Sequence, residues 1–276
     1  MCDLRFSLLG PVRAWFGGEE INIGSPQQRT LLALLLLQLD EPVSSEYAKQ
    51  ALWDGPAPAA ADGTVRTYIY RLRHLMTDVI GADRIAIRTC SGGYQLSLSG
   101  ATIDAHQFQQ RLADARDAGS GGDPETALRA YSDCLALWRG VPMAGTSTAY
   151  FDLERHRLEQ LRSDAVEECA DLAIGLGKTS NVVPILRKEL KIQPLREKLW
   201  ELLILALSRL GRRADALATY QDARQVLRTE LGLEPTPGMQ ELQRQILTSE
   251  PFRPATAAIR EWLGPAQPVL LPASPH

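Results

Sequence analysis

The sequence of 276 residues is 45% hydrophobic and 23% charged, and its formal net charge at pH 7 is −3. This composition is typical of a soluble protein of about two domains, and the small negative charge argues against general adhesion to nucleic acid while allowing a local basic surface. The longest apolar run, residues 31–37, is too short to cross a bilayer, and the first ten residues lack a signal-peptide pattern. We therefore predict a cytoplasmic protein with no membrane partner.

The beginning of the chain combines short strands with apolar helices. Residues 4–23 alternate polar and apolar side chains between glycine turns, which predicts a small antiparallel sheet. Ser25 and Pro26 are residue types of a helix N-cap and first turn, so a strongly apolar helix is predicted to begin there. A second, shorter helix is predicted with Ser44 or Ser45 as its N-cap. It leads into a loop over residues 54–63 that is rich in Pro, Gly and Ala.

The third predicted helix, "TVRTYIYRLRHLM" at residues 64–76, has one apolar and one cationic side. At 3.6 residues per turn, one stripe faces the core, and the opposite arc carries no acid. Guanidinium groups bond phosphates or a guanine edge bidentately, and a helix fits the DNA major groove, so the arc indicates an anionic partner. The apolar stripe consists of Val65, Ile69, Leu72 and Met76. The arc consists of Arg66, Thr67, Tyr70, Arg71, Arg73 and His74.

A β-hairpin is predicted directly after this helix, from "RIAIRTC", a turn, and "YQLSL". Three helices followed by a hairpin constitute a winged helix, in which the third helix enters the major groove and the hairpin contacts the adjacent backbone. The alternative is a winged helix that contacts protein. We predict that the groove is faced by Arg66, Thr67, Tyr70, Arg71 and His74. Phosphate contacts are predicted for Arg73, Arg88, Gln28 and Arg29, and Thr89 is predicted as a further DNA contact.

From residue 104 onwards the pattern is helical, with signs of an internal repeat. Gly177 and Gly211 are 34 residues apart, which is the period of tetratricopeptide repeats. Such helix pairs stack into surfaces that bind peptides or proteins, and a plain helical bundle is the alternative. Small and aromatic residues occupy the positions where paired helices pack closely: Ala216, Tyr220 and Ala223 after Gly211, and Ala127 and Tyr131 after Gly122 in an earlier, more divergent unit. The segment 137–145 is predicted to be a loop.

No motif predicts an enzyme. The stretch "GLGKTS" at 175–180 resembles the end of a phosphate-binding loop, but Leu172 stands where that motif needs glycine, so Gly177 is better explained as a turn between helices. Glu167 and Glu168 have no nearby histidine or thiol arrangement that would make a catalytic site. The cysteines and histidines form no ligand pattern. We predict no catalysis, no metal and no cofactor.

The order of these parts resembles one family. "LRFSLLGPVRAW", "GSPQQRTLLALLLL", "VRTYIYRLRHLM", "SGGYQL" and "LALWRGVP", followed by helical repeats, resemble the SARP family (Streptomyces antibiotic regulatory proteins) over about residues 4 to 250. The resemblance implies a mainly α fold with a small β part. Its predicted parts are an OmpR-like winged helix at 1–99, a TPR-like bacterial transcriptional activation domain at 100–250, and a proline-rich, loosely held tail at 251–276.

The resemblance also implies a function and residue roles. It implies a nucleoid-associated activator of a secondary-metabolite (antibiotic) gene cluster, which binds promoter direct repeats as a homodimer and recruits RNA polymerase holoenzyme. By the match to "RLR", Arg71 is the base-directed residue and Arg73 the phosphate-directed one. The 54–63 loop corresponds to the transactivation loop, which implies polymerase contacts at Asp54, Gly55, Ala57 and Asp62. The rival hypotheses are a TPR-like adaptor with a non-DNA-binding winged helix and a repressor without polymerase contact.

Overall fold

The computed structural model describes residues 3–146 and 148–248, and the chain divides into two compact units, Met1–Gln193 and Pro194–His276. In the first unit the elements are, in chain order, β1 Leu4–Ser7, β2 Arg13–Phe16, β3 Glu19–Ile21, α1 Pro26–Leu37, β4 Val43–Ser44, α2 Ser45–Leu52, α3 Ala61–Ile80, β5 Ile85–Cys90, β6 Gly93–Leu98, β7 Ala101–Ile103, α4 Asp104–Ser120, α5 Pro124–Leu135, α6 Ala149–Gly175, a short 3₁₀ helix Thr179–Asn181, and α7 Val183–Leu190. In the second unit they are α8 Glu197–Arg209, α9 Arg213–Leu231 and α10 Pro237–Thr248.

The N-terminal sheet has the strand order β3-β2-β1-β7. Strand β1 pairs antiparallel with β2, and β2 pairs antiparallel with β3, as predicted for residues 4–23. The last strand was not predicted: β7 pairs parallel with β1, with Leu4 opposite Ala101 and Phe6 opposite Ile103. Strand β7 leads directly into α4, so the strand that completes the N-terminal sheet lies immediately before the predicted helical region.

Helix α1 forms the centre of the winged helix. It begins where predicted, because the Ser25 side chain accepts a hydrogen bond from the Gln28 backbone N–H and the Gln28 side chain accepts one from the Ser25 backbone, which together form a capping box. Residues 31–36 of α1 are all buried, so this helix is surrounded by apolar neighbours on every side. Helices α2 and α3 pack against it, and the N-cap of α2 is Ser44.

Helix α3 is longer than predicted at both ends. It covers residues 61–80 rather than 64–76, so the loop predicted to run to residue 63 ends at Ala60. Gly63 has a low helix propensity, which favoured a predicted helix start at residue 64. The helix includes Gly63 in its first turn because burial of the apolar stripe outweighs this low propensity. The α3 prediction was therefore correct for the stripe and wrong for the boundaries.

The predicted hairpin is formed by β5 and β6, which pair antiparallel from Ile85 opposite Leu98 to Cys90 opposite Gly93. Strand β4 pairs with the other edge of β6. Gly93 is required there, because a Cβ atom at this position would lie 2.0 Å from the Val43 carbonyl oxygen. The absence of a side chain thus lets β4 close the small sheet β4-β6-β5 that forms the wing.

Helices α4 to α7 complete the first unit. Gly122, in the left-handed region at φ +83°, lies between α4 and α5, and Ala127 and Tyr131 are buried as the repeat pattern predicted. Gly177, at φ +77°, ends the turn after α6, as expected for a turn between helices. The next residue, Lys178, forms an ion pair with Glu125. The predicted loop 137–145 lies between α5 and α6. The predicted domain boundary at residues 99 and 100 lies inside this unit and stays a prediction.

The second unit is a helical hairpin of α8 and α9 with α10 packed against both. Gly211, at φ +74°, forms the turn between α8 and α9, and Ala216, Tyr220 and Ala223 are buried against α8, as predicted. This arrangement of close-packed helix pairs is TPR-like. The predicted proline-rich tail, residues 251–276, lies outside the described residues.

Candidate nucleic-acid interface

The two sides of α3 differ as the sequence predicted. Its apolar stripe from Val65 to Met76 is buried in the core of the winged helix, and Tyr68 and Leu75 are partly buried beside it. The opposite side is open to solvent, and it carries no acidic residue between residues 63 and 77. The exposed side chains on this side are Arg66, Thr67, Tyr70, Arg71 and His74.

The two exposed arginines of α3 have no partner within the described part of the chain. Neither Arg66 nor Arg71 forms a hydrogen bond or an ion pair with a described residue. Tyr70 and His74 stack edge to face, with ring centroids 4.3 Å apart, and Thr67 donates its hydroxyl hydrogen to the Gly63 carbonyl oxygen at 2.8 Å. The guanidinium groups are therefore available to an external anion, and the aromatic pair lies on the same exposed side of the helix.

Arg73 has a different environment. It is half-buried, and its Nε donates to the Ile87 carbonyl oxygen at 2.8 Å while its Nη2 donates to Thr89 Oγ1 at 3.2 Å. Both acceptors belong to β5, so this one side chain joins the third helix to the wing. The structure places Arg73 and Thr89, two predicted DNA contacts, against each other.

Arg88 is the exposed cation of the wing. On β5 the side chains of Ile85 and Ile87 are buried, and by strand alternation Arg88 points to the opposite face. It lies opposite Gln95 on β6 and has no hydrogen bond or ion pair to a described residue. The wing thus presents an exposed cation without a described partner, on the strand whose neighbouring residues, Ile87 and Thr89, bond Arg73 of α3.

The structure separates Gln28 from this surface. Its side chain is buried and closes the capping box of α1, and its Oε1 atom accepts from the Ser25 N–H at 3.1 Å. A phosphate contact by Gln28 would break the cap, and the Ser-x-x-Gln pattern was the signal for this role. Arg29 is exposed, and its Nη2 donates to the Gly24 carbonyl oxygen at 3.1 Å.

The predicted polymerase-contact residues lie in two places. Asp54, Gly55 and Ala57 are exposed in the loop between α2 and α3, which covers residues 53–60. Asp54 is also a helix cap, because its Oδ1 atom accepts a hydrogen bond from the Ala149 N–H at the beginning of α6, at 2.9 Å. Asp62 is helical, not part of the loop, and pairs with Lys49 of α2 at 3.4 Å.

The sequence analysis missed one residue that contacts the end of α2. Thr148, just before α6, donates its hydroxyl hydrogen to the Ala51 carbonyl oxygen at 3.1 Å.

Other kinds of site have no support in the part of the chain that the structure describes. Within residues 3–146 and 148–248, no group of three or more His, Cys, Asp or Glu side chains is placed to hold a metal ion. No helix among these residues combines the length and apolar character needed to cross a membrane. Cys134 and Cys169 are buried, and burial raises the pKa of the two thiols to about 12 and about 11. These thiols are therefore unreactive core residues.

Comparison with known families gives two matches that together cover most of the chain. A family described as "Transcriptional regulatory protein, C terminal" matches residues 18–96. A family described as "Bacterial transcriptional activator domain" matches residues 103–247. The first match contains α3 and the wing up to residue 96, and the second begins at the end of β7.

Three relatives show how far the similarity extends. Regulatory protein AfsR of Streptomyces griseus is 40% identical over 275 residues, which are 98% of this chain and 27% of AfsR, so the chain spans about a quarter of that protein. Regulatory protein DnrI of Streptomyces peucetius is 30% identical over 254 residues, which are 90% of this chain and 93% of DnrI. The structure of Mycobacterium tuberculosis EmbR in complex with a low affinity phosphopeptide superimposes with a TM-score of 0.81 at 28% identity, over 94% of this chain and 68% of EmbR. The chain therefore belongs to the SARP family of transcriptional regulators, in which a winged helix precedes a bacterial transcriptional activator domain.

Proposed function

We propose that the protein is a sequence-specific DNA-binding activator whose helix α3 enters the major groove. The observation that carries this proposal is the exposed side of α3, where Arg66 and Arg71 have no partner among the described residues and no acid interrupts the surface. A protein surface without counter-charges favours binding of a polyanion. The wing adds the exposed Arg88, and the hairpin of a winged helix contacts the DNA backbone beside the third helix.

The proposed contacts fall into two classes. Phosphate contacts set affinity and register, and contacts to base edges set sequence preference. We assign base edges to Arg71 and Arg66, with Thr67, Tyr70 and His74 beside them, and phosphates to Arg88 and Arg29. Arg73 and Thr89 hold the wing in place, and Gln28 is left out because it caps α1.

The finer parts of the proposal rest on family membership. AfsR and DnrI are regulatory proteins of Streptomyces, and the family resemblance implies control of a secondary-metabolite gene cluster. The same resemblance implies binding to promoter direct repeats as a homodimer, and recruitment of RNA polymerase through the loop between α2 and α3. A protein with this role acts in the cytoplasm, on the nucleoid.

A gel-shift assay with salt titration tests DNA binding. We expect a specific shift on a DNA fragment from the gene's own neighbourhood. The logarithm of the binding constant should fall linearly with the logarithm of the salt concentration, with a slope of about −0.9 for each phosphate contact. An adaptor with a non-DNA-binding winged helix would give no specific shift.

Transcription in vitro from the footprinted promoter then separates an activator from a repressor, because a repressor binds the same site and lowers the amount of transcript.

A further inference from the structure

The beginning of α6 is attached to the loop that is proposed to contact polymerase. Asp54 Oδ1 accepts from the Ala149 N–H at 2.9 Å, and Thr148 Oγ1 donates to the Ala51 carbonyl oxygen at 3.1 Å. The N-cap residue Thr148 forms no side-chain cap bond of its own, so the acceptor that the first turn of α6 needs comes from the loop. A carboxylate at this position also interacts favourably with the positive end of the helix dipole. Helix α6 of the activator domain thus fixes where the loop begins.

An apolar strip lies next to this attachment. Tyr47 of α2 is 56% exposed, and its ring centroid lies 6.4 Å from that of Tyr150 in the first turn of α6. Leu153 is 77% exposed, three residues after Tyr150 and therefore on the same face of α6. A single exposed apolar residue needs no explanation, but two aromatic rings and a leucine in one strip indicate an interaction surface.

The charges around this strip disfavour DNA as its occupant. The exposed acids Glu46, Asp62 and Asp152 flank it, and Asp54 lies in the adjoining loop. Lys49 pairs with Glu46 and Asp62, Arg155 pairs with Asp152, and Arg157, four residues after Leu153, pairs with Glu154. With Asp54 included, five acids stand against three cations around the strip. A phosphate backbone would be repelled, whereas a protein segment with apolar and basic side chains would be complementary.

We propose that the first two turns of α6 complete the polymerase-contact surface that the loop between α2 and α3 begins. In this surface Leu153 and Tyr47 contact RNA polymerase holoenzyme directly, and Thr148 is a positioning residue that sets the conformation of the loop. The inference rests on the proposed function, and it extends the contact from the winged helix to the activator domain. Two hydrogen bonds attach the beginning of α6 to the loop, so the strip adjoins the surface that the proposed function gives to RNA polymerase. For this reason we assign the strip to this one partner.

Replacement of the exposed leucine tests the direct contact. Leu153→Ala keeps the helix propensity of α6 and removes apolar surface that is 77% exposed. We expect unchanged thermal stability and DNA affinity, with about fivefold weaker recruitment of Streptomyces RNA polymerase holoenzyme to the promoter complex and a matching loss of transcript. The matched control is Leu247→Ala in α10, a leucine that is 56% exposed and belongs to the other compact unit. This variant should activate like the wild type.

A pair of substitutions at Thr148 tests positioning. Thr148→Val keeps the shape of the side chain and removes the hydroxyl that Ala51 accepts from, whereas Thr148→Ser keeps that donor. We expect Thr148→Val to bind DNA normally and to lose activation severalfold, and Thr148→Ser to restore most of it. Equal activation by the two variants would overturn the positioning role.

The outcomes separate this inference from the proposed function. A wild-type protein that binds its promoter and fails to stimulate transcription would overturn the activator function and this inference together. A wild-type protein that stimulates transcription, accompanied by a Leu153→Ala variant that stimulates it equally, would overturn the inference alone. Loss of polymerase recruitment with intact DNA binding in Leu153→Ala, but not in Leu247→Ala, would support it.

Discussion

At the scale of single residues, Arg71 and Arg73 show how two arginines in one short motif differ in environment. Arg71 is exposed with no partner among the described residues, whereas Arg73 is bonded to two residues of β5. A free guanidinium on the groove side is able to bond a guanine edge bidentately, and each such pair contributes about 1 to 3 kcal/mol of discrimination between bases. We therefore propose that Arg71 sets the sequence preference.

Substitution of Arg71 tests this assignment. Arg71→Ala should lower affinity for the target site by about 1 to 3 kcal/mol and relax the preference at one base position, without a change in thermal stability. Competition gel shifts with target DNA, single-base variants and random DNA measure both effects. The control is Arg88→Ala in the wing, which should weaken binding to all sequences and reduce the salt slope by about 1. If Arg71→Ala weakened target and random DNA equally, Arg71 would be a phosphate contact.

At the scale of elements, the Arg73 bridge couples α3 to the hairpin. Removal of this side chain leaves the Ile87 carbonyl oxygen and the Thr89 hydroxyl without their described partner. We expect Arg73→Ala to reduce stability by about 1 kcal/mol, to increase hydrogen exchange of backbone amides in residues 85–98, and to weaken binding to all DNA sequences. Arg88→Ala changes a wing arginine that has no described partner, so its exchange rates should equal those of the wild type. Unchanged exchange in Arg73→Ala would mean that the wing is held by its strand pairing alone.

The elements also show what local sequence determines. Ser25, Pro26 and Gln28 lie within four residues and form the capping box, so the beginning of α1 was predictable, and the period of apolar residues predicted the buried stripe of α3. The cationic side of α3 followed from the same period. In contrast, β7 pairs with β1, and Asp54 caps α6, through contacts between distant parts of the chain. No local pattern encodes such partners, because they depend on how the two parts pack.

At the scale of the whole molecule, the turn after β1 is bonded largely by residues from beyond position 100. Asp104, the first residue of α4, accepts hydrogen bonds from the Ser7 hydroxyl at 2.7 Å, the Leu8 N–H at 2.6 Å and the Leu9 N–H at 3.2 Å. The backbone N–H groups of residues 143, 139 and 144 donate to the carbonyl oxygens of residues 8, 9 and 10. The predicted winged helix and the first helices of the activator domain therefore share one compact unit, Met1–Gln193.

Substitution of Asp104 should destabilise this unit. Ser7, Leu8 and Leu9 are buried, so Asp104→Ala leaves donors without an acceptor away from water. Each unsatisfied buried group costs about 1 to 3 kcal/mol, and we expect a total loss of about 3 kcal/mol in the free energy of unfolding, measured by urea denaturation. Asp104→Asn retains one acceptor oxygen and should lose less. A loss under about 1 kcal/mol in Asp104→Ala would show that water replaces the carboxylate.

The same carboxyl group should make stability depend on pH. Burial raises the pKa of Asp104 above its usual value, and the hydrogen bonds from Leu8, Ser7 and Leu9 oppose this shift only in part. The folded protein then retains the proton to a higher pH than the unfolded chain does, so the stabilisation is complete below the ordinary aspartate pKa and is lost as pH rises through the raised one. The stability advantage of the wild type over Asp104→Asn should therefore shrink as pH rises above the ordinary aspartate pKa and through the raised one. His106 is the titrating neighbour, and burial lowers its pKa, so the comparison is repeated in a His106→Gln background. An advantage that grows with pH in both backgrounds would mean that the N–H donors outweigh burial and that the folded state favours the carboxylate.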